Sequence, residues 1–444
     1  MKILKSYLLI VLLLNITSWV SATSLFSSVK TSKGENLQKE ETYKARDALY
    51  ALDDPSVNRA TSEHFQIIWG NNDTTGTVNL KLAEGNLKNL ENIRSCYLNL
   101  FGLGDITTSL NESITGLYKS NLYIAFTGLE KIGDDWAYVW GDPESFAFQV
   151  MMSGALRVDP PSWVPPHELG HVFMGHNRGW FPFHWGESIA NFLRNEYLMS
   201  DYNSFGGVVY APQADFFPAY LLTRELHFPH DKNYYDIWPI LLYVNENPEN
   251  IPGLGTQTLV KIFTDQVQDS SYFHKFEKIS GVSIKEILGR TTRRLITMDF
   301  KAKKQFLKSY DDFLKVPGHL QKTYTTLTNA TDGWMVVPGD RAPQQAGHNV
   351  IPLGSFPNKS SITVNFQGTS TATGADWRVS IVTATADRTS RYSSMWNSGT
   401  NTMNLQGNEK GVYLVVTATP DTMLQLDTDK DGVKFPYKIQ VTSQ

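Results

Sequence analysis

Cysteine is nearly absent from this chain, whose 444 residues include one, Cys96. A single cysteine can form no intrachain disulfide, which excludes the small disulfide-stabilised scaffolds. The same count excludes zinc and iron–sulfur sites built from several thiolates. We interpret Cys96 as a small buried apolar residue of an amphipathic helix. Any metal site in this chain must therefore use histidine and carboxylate ligands.

A large excess of either charge is also missing. The chain carries 40 Lys and Arg against 44 Asp and Glu, a formal net charge of −4, and 19% of its residues are charged. Nucleic-acid-binding proteins usually present a basic patch, so this balance argues against a nucleic-acid partner. Hydrophobic residues make up 41% of the chain, which is too many for a disordered protein. At roughly 100–200 residues per domain, the length predicts two or three domains.

Long apolar runs are missing beyond the N-terminus, where no stretch approaches the roughly 18 residues typical of a membrane-spanning helix. Residues 1–22 combine Lys2 and Lys5 with an apolar run at 8–14 and a small-residue cleavage site. We interpret them as a secretory signal peptide, which predicts a secreted, extracellular product without a membrane span. Candidate N-glycosylation sequons lie at Asn72, Asn111, Asn329 and Asn358.

The pattern of apolar and polar residues in the remaining chain predicts an α+β protein with two folded domains. Residues 23–60 are polar and rich in Lys and Glu, and we interpret them as a linker or pro-segment. Residues 61–315 contain a few strand-like segments followed by mostly helical ones, which predicts a small sheet with helices. Over 325–444 apolar and polar residues alternate in about seven short segments separated by Gly, Pro, Asn and Ser, a pattern typical of an antiparallel β-sandwich.

The clearest chemical motif is His-Glu-x-x-His, at His167, Glu168 and His171. Prolines just before it and the apolar pattern after it place the motif on a helix. Histidines four residues apart share one helix face, which suits two ligands of a tetrahedral zinc ion. Glu168 would point toward a water molecule on that metal and serve as general base and then acid.

A third ligand is expected from the segment that follows. Glu187 stands at the start of a second predicted helix and is the preferred candidate, with His184 and His176 as rivals. Glu196 is a weaker candidate because it lies on another face of that helix. Asn191, one turn after Glu187, is positioned to hydrogen-bond the far nitrogen of a zinc-bound imidazole.

This set of residues resembles the gluzincin metallopeptidases, in which HExxH is followed by a helix that carries a zinc-binding glutamate. The resemblance implies a zincin-like catalytic domain, a zinc cofactor and peptide-bond hydrolysis. The spacer between His171 and Glu187 is shorter than in thermolysin or the aminopeptidases, and Asn191 replaces the usual Asp. The mature chain, over about 60–444, also resembles a secreted family known mainly as a domain of unknown function. Its phrases here include SEHFQIIWG, GESIANF and FPYKIQV.

Several weaker signals remain open. Tyr235 or His230, in the segment HFPHDKNYYDIW, is a candidate donor to the oxyanion of a peptidase reaction. The segment from Asp427 to Asp431 matches the start of a calcium loop, but Lys438 occupies the position of its last ligand, which favours an ordinary hairpin turn. In the β domain, three tryptophans could stack on sugars, although core packing is the preferred interpretation: Trp334, Trp377 and Trp396.

Two functions from different classes follow from these observations. The first is a secreted zinc-dependent hydrolase, most simply a metallopeptidase that cleaves extracellular protein or glycoprotein. The second is a catalytically inactive zincin scaffold that binds glycans or cell-surface polymers through its β domain. The short spacer and the Asn191 substitution motivate the second hypothesis.

Overall fold

The computed structural model describes residues 43–159, 161–203 and 216–444. The predicted signal peptide, 1–22, and residues 23–42 of the predicted linker lie outside the described residues. The described part divides into an N-terminal unit of one sheet and ten α-helices and a C-terminal unit of two antiparallel sheets. This arrangement confirms the α+β fold class. Among the described residues, no helix has the length and apolar character needed to cross a membrane.

A five-stranded mixed sheet forms the base of the N-terminal unit. Its three inner strands are parallel, and an antiparallel strand lies at each edge. The inner strands are buried on both faces, which explains their nearly continuous apolar sequences. In spatial order the strands are β1 (Val57–Thr61), β2 (Phe65–Gly70), β3 (Ser120–Ala125), β5 (Ala147–Met152) and β4 (Ala137–Gly141).

Residues 57–60 form the first part of β1, and Tyr50 packs in an apolar cluster with Ile68 and Tyr123 of this sheet, so part of the range 23–60 that we interpret as a linker or pro-segment is folded against it. Strand β1 pairs with β2 along its whole length. Two arginines of this range form ion pairs, with Arg46 2.6 Å from Asp142 and Arg59 2.7 Å from Asp47. Composition alone could not distinguish charges that face solvent from charges that meet partners about 100 residues away.

Helices cover the sheet and build the largest apolar core of the chain. The longest begins after Asn79, whose side chain accepts a hydrogen bond from Leu82, and ends at the left-handed Gly102. Cys96 is buried in this helix, as predicted, and burial raises the pKa of its thiol to about 12. The helices are α1 (Leu80–Phe101), α2 (Val164–His176), α3 (Phe183–Met199), α4 (Pro218–Leu222), α5 (Pro239–Glu246), α6 (Thr256–Thr264), α7 (Tyr272–Ser280), α8 (Ile284–Arg294), α9 (Lys303–Lys315) and α10 (His319–Thr323).

The C-terminal unit is a sandwich of two antiparallel sheets around a second apolar core. One sheet has the order β11-β10-β13-β8 and the other the order β12-β9-β14-β7-β6. Trp377 is buried in this core, whereas Trp334 and Trp396 are partly exposed. The strands are β6 (Thr328–Asn329), β7 (Met335–Val336), β8 (His348–Gly354), β9 (Ser361–Gly368), β10 (Trp377–Thr385), β11 (Ser390–Tyr392), β12 (Gly399–Asn404), β13 (Glu409–Ala418) and β14 (Tyr437–Ser443).

Helix α8 joins the two units by packing on β10 and β13. A Cβ atom at Gly289 would lie 2.7 Å from the Cβ of Arg378, so glycine permits the close approach of helix and sheet. Lys285 forms ion pairs with Asp376 at 2.8 Å and Asp421 at 2.6 Å across the same interface. The sandwich is therefore attached through both apolar packing and paired charges.

Candidate metal centre

Helices α2 and α3 carry the HExxH motif and the predicted third ligand. Pro165 and Pro166 lie in the first turn of α2, where missing backbone N–H groups cost nothing. The two helices meet at Gly170, where an added Cβ would lie 3.3 Å from the Cα of Ala190. Because both residues at this crossing are small, the helix backbones approach closely and bring the start of α3 beside the histidines.

Three side chains converge at this crossing: His167, His171 and Glu187. The Nε2 atom of His167 lies 3.1 Å from Glu187 Oε2 and 3.2 Å from His171 Nε2, and His171 Nε2 lies 3.4 Å from the same glutamate oxygen. Ligand atoms about 2.0–2.1 Å from a tetrahedral zinc ion are about 3.3–3.4 Å apart. These three atoms, called here the donor triangle, therefore have the spacing and the chemical character of one face of a zinc tetrahedron. In the described part of the chain no other group of three such side chains converges in this way.

In the donor triangle, the charges of neighbouring side chains shift the pKa values of Glu187 and His171 in the direction opposite to the effect of burial. Burial acts to raise the pKa of Glu187, but the imidazoles of His171 and His167 outweigh it and hold that pKa well below its usual range. Burial acts to lower the pKa of His171, and the Glu187 carboxylate outweighs it and raises that pKa. The Glu187 carboxylate is therefore anionic. A divalent cation that binds here would replace the protons of the imidazoles as the positive charge that stabilises this carboxylate.

Asn191 orients His167 from behind. Its Oδ1 atom lies 2.6 Å from His167 Nδ1 and also accepts a hydrogen bond from Arg194 at 2.7 Å. Its Nδ2 atom donates to the backbone carbonyl of Tyr235 at 2.6 Å, so both ends of the amide are fixed. Because the oxygen faces the imidazole, His167 carries its proton on Nδ1 and leaves Nε2 bare toward the donor triangle, which is the tautomer that a metal needs.

Glu168 is buried beside the donor triangle, and burial raises the pKa of its carboxyl group. Within the described ranges its carboxylate makes no hydrogen bond or ion pair, and the charges of the His167 and His171 imidazoles oppose the effect of burial on its pKa. A buried carboxylate that accepts no hydrogen bond is costly for stability, which favours a chemical role for Glu168 over a packing role.

The two candidate oxyanion donors have different surroundings. The ring of Tyr235 lies 6.2 Å from the ring of His167 and 4.5 Å from that of Tyr234, and its side chain is 45% exposed. His230 is buried against His227 and accepts a hydrogen bond from the backbone of Lys232. The structure therefore brings Tyr235, and not His230, to the donor triangle.

The rival ligands also lie apart from the donor triangle. His184 contacts Thr428 of the β domain at 3.1 Å, and His176 belongs to the last turn of α2. Glu196 accepts a hydrogen bond from Asn245 at 3.2 Å, and burial raises its pKa to about 7. Only Glu187 among the predicted third ligands joins the two histidines.

Two contributions to this region have no clear sequence signal. Arg194 follows Asn191 by one turn, but arginines on helices usually face solvent, so the spacing alone does not indicate a buried role. The segment 427–432 of the β domain approaches the site because Asp231 donates its backbone N–H to Thr428 and His227 bonds the carbonyl of Lys430. More than 190 residues separate these partners in the sequence.

The segment Asp427–Asp431 connects β13 in one sheet to β14 in the other, which corrects the predicted hairpin turn. Asp427 forms an ion pair with Lys430, and Asp431 lies 3.4 Å from the amide of Gln344. Within the described residues, none of the carboxylates of Asp427–Asp431 belongs to a group of side chains that converges as a candidate metal site.

Comparison with solved structures finds only distant similarity. The M60 catalytic domain of Clostridium perfringens ZmpC, in complex with the sialyl T antigen, is 11% identical with a TM-score of 0.31, covering 84% of this chain and 69% of that one. The M60 domain with two CBM51 domains of Clostridium perfringens ZmpB is 14% identical with a TM-score of 0.30, covering 84% and 37%. A xylan-binding CBM22-1 domain from Paenibacillus barcinonensis Xyn10C is 11% identical with a TM-score of 0.18, covering 27% and 78%. TM-scores of this size do not establish a common fold.

Sequence comparison gives a more definite result. No functionally curated protein matches the chain. One family model matches residues 22–444, which is nearly the whole sequence. The chain therefore belongs to the family described as Family of unknown function (DUF6055).

Proposed function

We propose that this protein is a secreted zinc-dependent hydrolase, most simply a metallopeptidase that acts on extracellular protein or glycoprotein. The observation that carries the proposal is the donor triangle of His167, His171 and Glu187, with zinc-like spacing and an unpaired Glu168 beside it. Histidine and carboxylate ligands in this arrangement fit zinc better than Ca²⁺ or Mg²⁺, which prefer oxygen ligands.

Each side chain then has one task in the reaction. Zinc, when bound, polarises the scissile carbonyl and makes water more acidic. Glu168 accepts a proton from the attacking water and delivers it to the leaving amine, for which its raised pKa is suited. Tyr235 donates its hydroxyl hydrogen to the carbonyl oxygen as negative charge develops. Asn191 holds His167 in the required tautomer throughout.

Zinc dependence is the direct test of this function. The purified full-length chain should contain about one zinc ion, the number that one three-ligand site holds. Removal of the metal with 1,10-phenanthroline should abolish cleavage of a denatured protein substrate, and added zinc should restore it. Metal content would be measured by mass spectrometry beside proteolysis. A metal-free protein that cleaves at the original rate would contradict the proposal, and a zinc-loaded protein that cleaves nothing would favour the scaffold alternative.

The free edge of β4 offers a place for a peptide strand. Trp136 accepts a hydrogen bond from Met152, and Asp142 donates to Phe146, so alternate residues of β4 bond toward β5. In this alternation the even-numbered residues bond to β5. Val139 is odd-numbered, so its backbone N–H and C=O point away from β5. No described strand pairs with that side, and α2 packs against β4. A peptide that adds to this edge would run past the metal site as an extra strand.

Replacing Val139 with proline would remove the outward N–H without disturbing the bonds to β5. Loss of one hydrogen bond to a peptide strand should lower kcat/KM about 3- to 10-fold. Val139→Ala, which keeps the N–H group, is the matched control and should cleave at the original rate. Kinetics on a peptide substrate would be read beside thermal unfolding. Equal kcat/KM values for the two folded variants would show that substrate does not pair with this edge.

Glycosylation at the four sequons remains a prediction, and the fold leaves all four asparagines accessible to a glycan. Each of the four asparagines is exposed in the structure: Asn72, Asn111, Asn329 and Asn358. Enzymatic deglycosylation of the secreted protein followed by mass measurement would determine which of them carry a glycan.

A further inference from the structure

The outer side of the β domain contains a groove of about 380 Å³ that the proposed peptidase chemistry does not use. One wall is the end of β9, with Asn365 and Gln367, and the other is the segment 397–399 that leads into β12. Trp334, just before β7, stands at the groove and remains partly exposed. The groove lies on the sandwich, whereas the donor triangle lies between two helices of the N-terminal unit.

The floor of the groove is held in place by the sandwich core. The Trp377 indole donates its Nε1–H to the carbonyl of Phe435 at 3.2 Å and packs edge-on against Phe366 at 5.8 Å. A Cβ atom at Gly368 would lie 2.1 Å from the Trp377 ring, so this backbone rests directly on the indole. Any larger residue would displace the tryptophan. The groove is therefore preformed, which reduces the entropy lost when a ligand binds.

The lining combines indole rings with uncharged amides and a hydroxyl. Every described residue that lines the groove is non-ionisable. Outside the lining, the ammonium group of Lys438 lies over the Trp334 ring, 4.4 Å from its centre. Asn397 donates its amide to Asp376 at 3.0 Å, which leaves its carbonyl oxygen as an acceptor, and Gln367 is exposed. The groove thus offers hydrogen-bond donors and acceptors beside an apolar surface, and its lining contains no ionisable side chain.

These features select a ligand by chemistry. A sugar ring presents C–H groups that pack on an indole and hydroxyl groups that both donate to and accept from amide side chains. An anionic ligand would require arginine or lysine in the lining, and a wholly apolar ligand would leave the amides unpaired. We propose that the groove around Trp334, Gln367 and Asn397 binds a neutral oligosaccharide. The site is independent of the metal centre and does not rest on the proposed hydrolysis.

The test uses the full-length chain on a glycan array that spans neutral and acidic glycans, followed by calorimetry with the strongest ligand. Neutral glycans should bind, and Trp334→Ala should weaken that binding about tenfold through loss of ring packing. Asn397→Ala, on an exposed loop, is a second variant that should weaken binding without touching the core. Leu424→Ala replaces an exposed apolar residue elsewhere on the same domain and should bind like the original.

Thermal unfolding would confirm that each variant is folded. Absence of binding to all neutral glycans, binding to acidic glycans alone, or undiminished binding by both groove variants would overturn the proposal. Peptidase assays on an unglycosylated peptide, run on the same variants, separate the two hypotheses. Loss of glycan binding with intact peptide cleavage supports the groove site, whereas an inactive chain that still binds glycan refutes only the proposed hydrolysis.

Discussion

Replacing Glu168 with glutamine is expected to reduce peptide hydrolysis about a thousandfold, within the range observed for loss of a general base. Glutamine has nearly the same shape but cannot accept a proton from water or return it to a leaving amine. The residue is not part of the donor triangle, so zinc content should stay unchanged. Among single substitutions that keep the metal, this one should have the largest effect on turnover.

The measurement compares kcat/KM and metal content for Glu168→Gln and for the original chain. Glu196→Gln is the matched control, because desolvation also raises the pKa of Glu196, which contacts Asn245 away from the site. The control should keep both zinc and activity. Full hydrolysis by Glu168→Gln would remove the proposed mechanism, and equal losses in both variants would indicate a general effect of changing a buried carboxyl group.

Replacing Glu187 with alanine is expected to weaken zinc binding more than about 100-fold. Loss of a residue that only hydrogen-bonds a metal ligand lowers metal affinity about 10- to 100-fold, and Glu187 is itself a proposed ligand. The substitution removes the only anion of the donor triangle and leaves two imidazoles 3.2 Å apart. Zinc affinity would be measured by competition with a chromophoric chelator, and hydrolysis should fall in parallel.

His184→Ala provides the control for this experiment, because His184 was a rival third ligand and contacts Thr428 instead. Its zinc affinity should match that of the original chain. If His184→Ala lost zinc while Glu187→Ala retained it, the ligand assignment would be wrong. Retention of zinc by both variants would show that the metal is held elsewhere.

Local patterns predicted the helices around the site well because their information lies within one or two turns. The HExxH spacing and the prolines before it placed α2, and the residue types at Glu187 and Asn191 indicated their orientation on α3. The apolar runs of β2, β3 and β5 account for the few strand-like segments from which a small sheet was predicted. These features depend on residues close in sequence, so a single sequence contains them.

What the sequence did not reveal depends on partners far along the chain. Strand β1 is polar because it is an edge strand, and Arg46, which precedes it, forms an ion pair with Asp142, about 100 residues later. The choice between Tyr235 and His230 depends on how the segment between α4 and α5 folds back onto α3. Ser188 and Asn191 bond the carbonyls of Tyr234 and Tyr235 and set that path. No periodicity indicates such bonds.

The crossing of Gly170 and Ala190 has a consequence for how this protein can tune its affinity for metal. The two histidines share one helix, so the distance between them is as rigid as the helix itself. The carboxylate arrives from the other helix, and its distance is set where the two backbones touch. Helix separation therefore helps to set the distance between the carboxylate and the two imidazoles. A methyl group added at Gly170 or removed from Ala190 would change the distance between the Glu187 carboxylate and the two histidines while all three ligands stay the same.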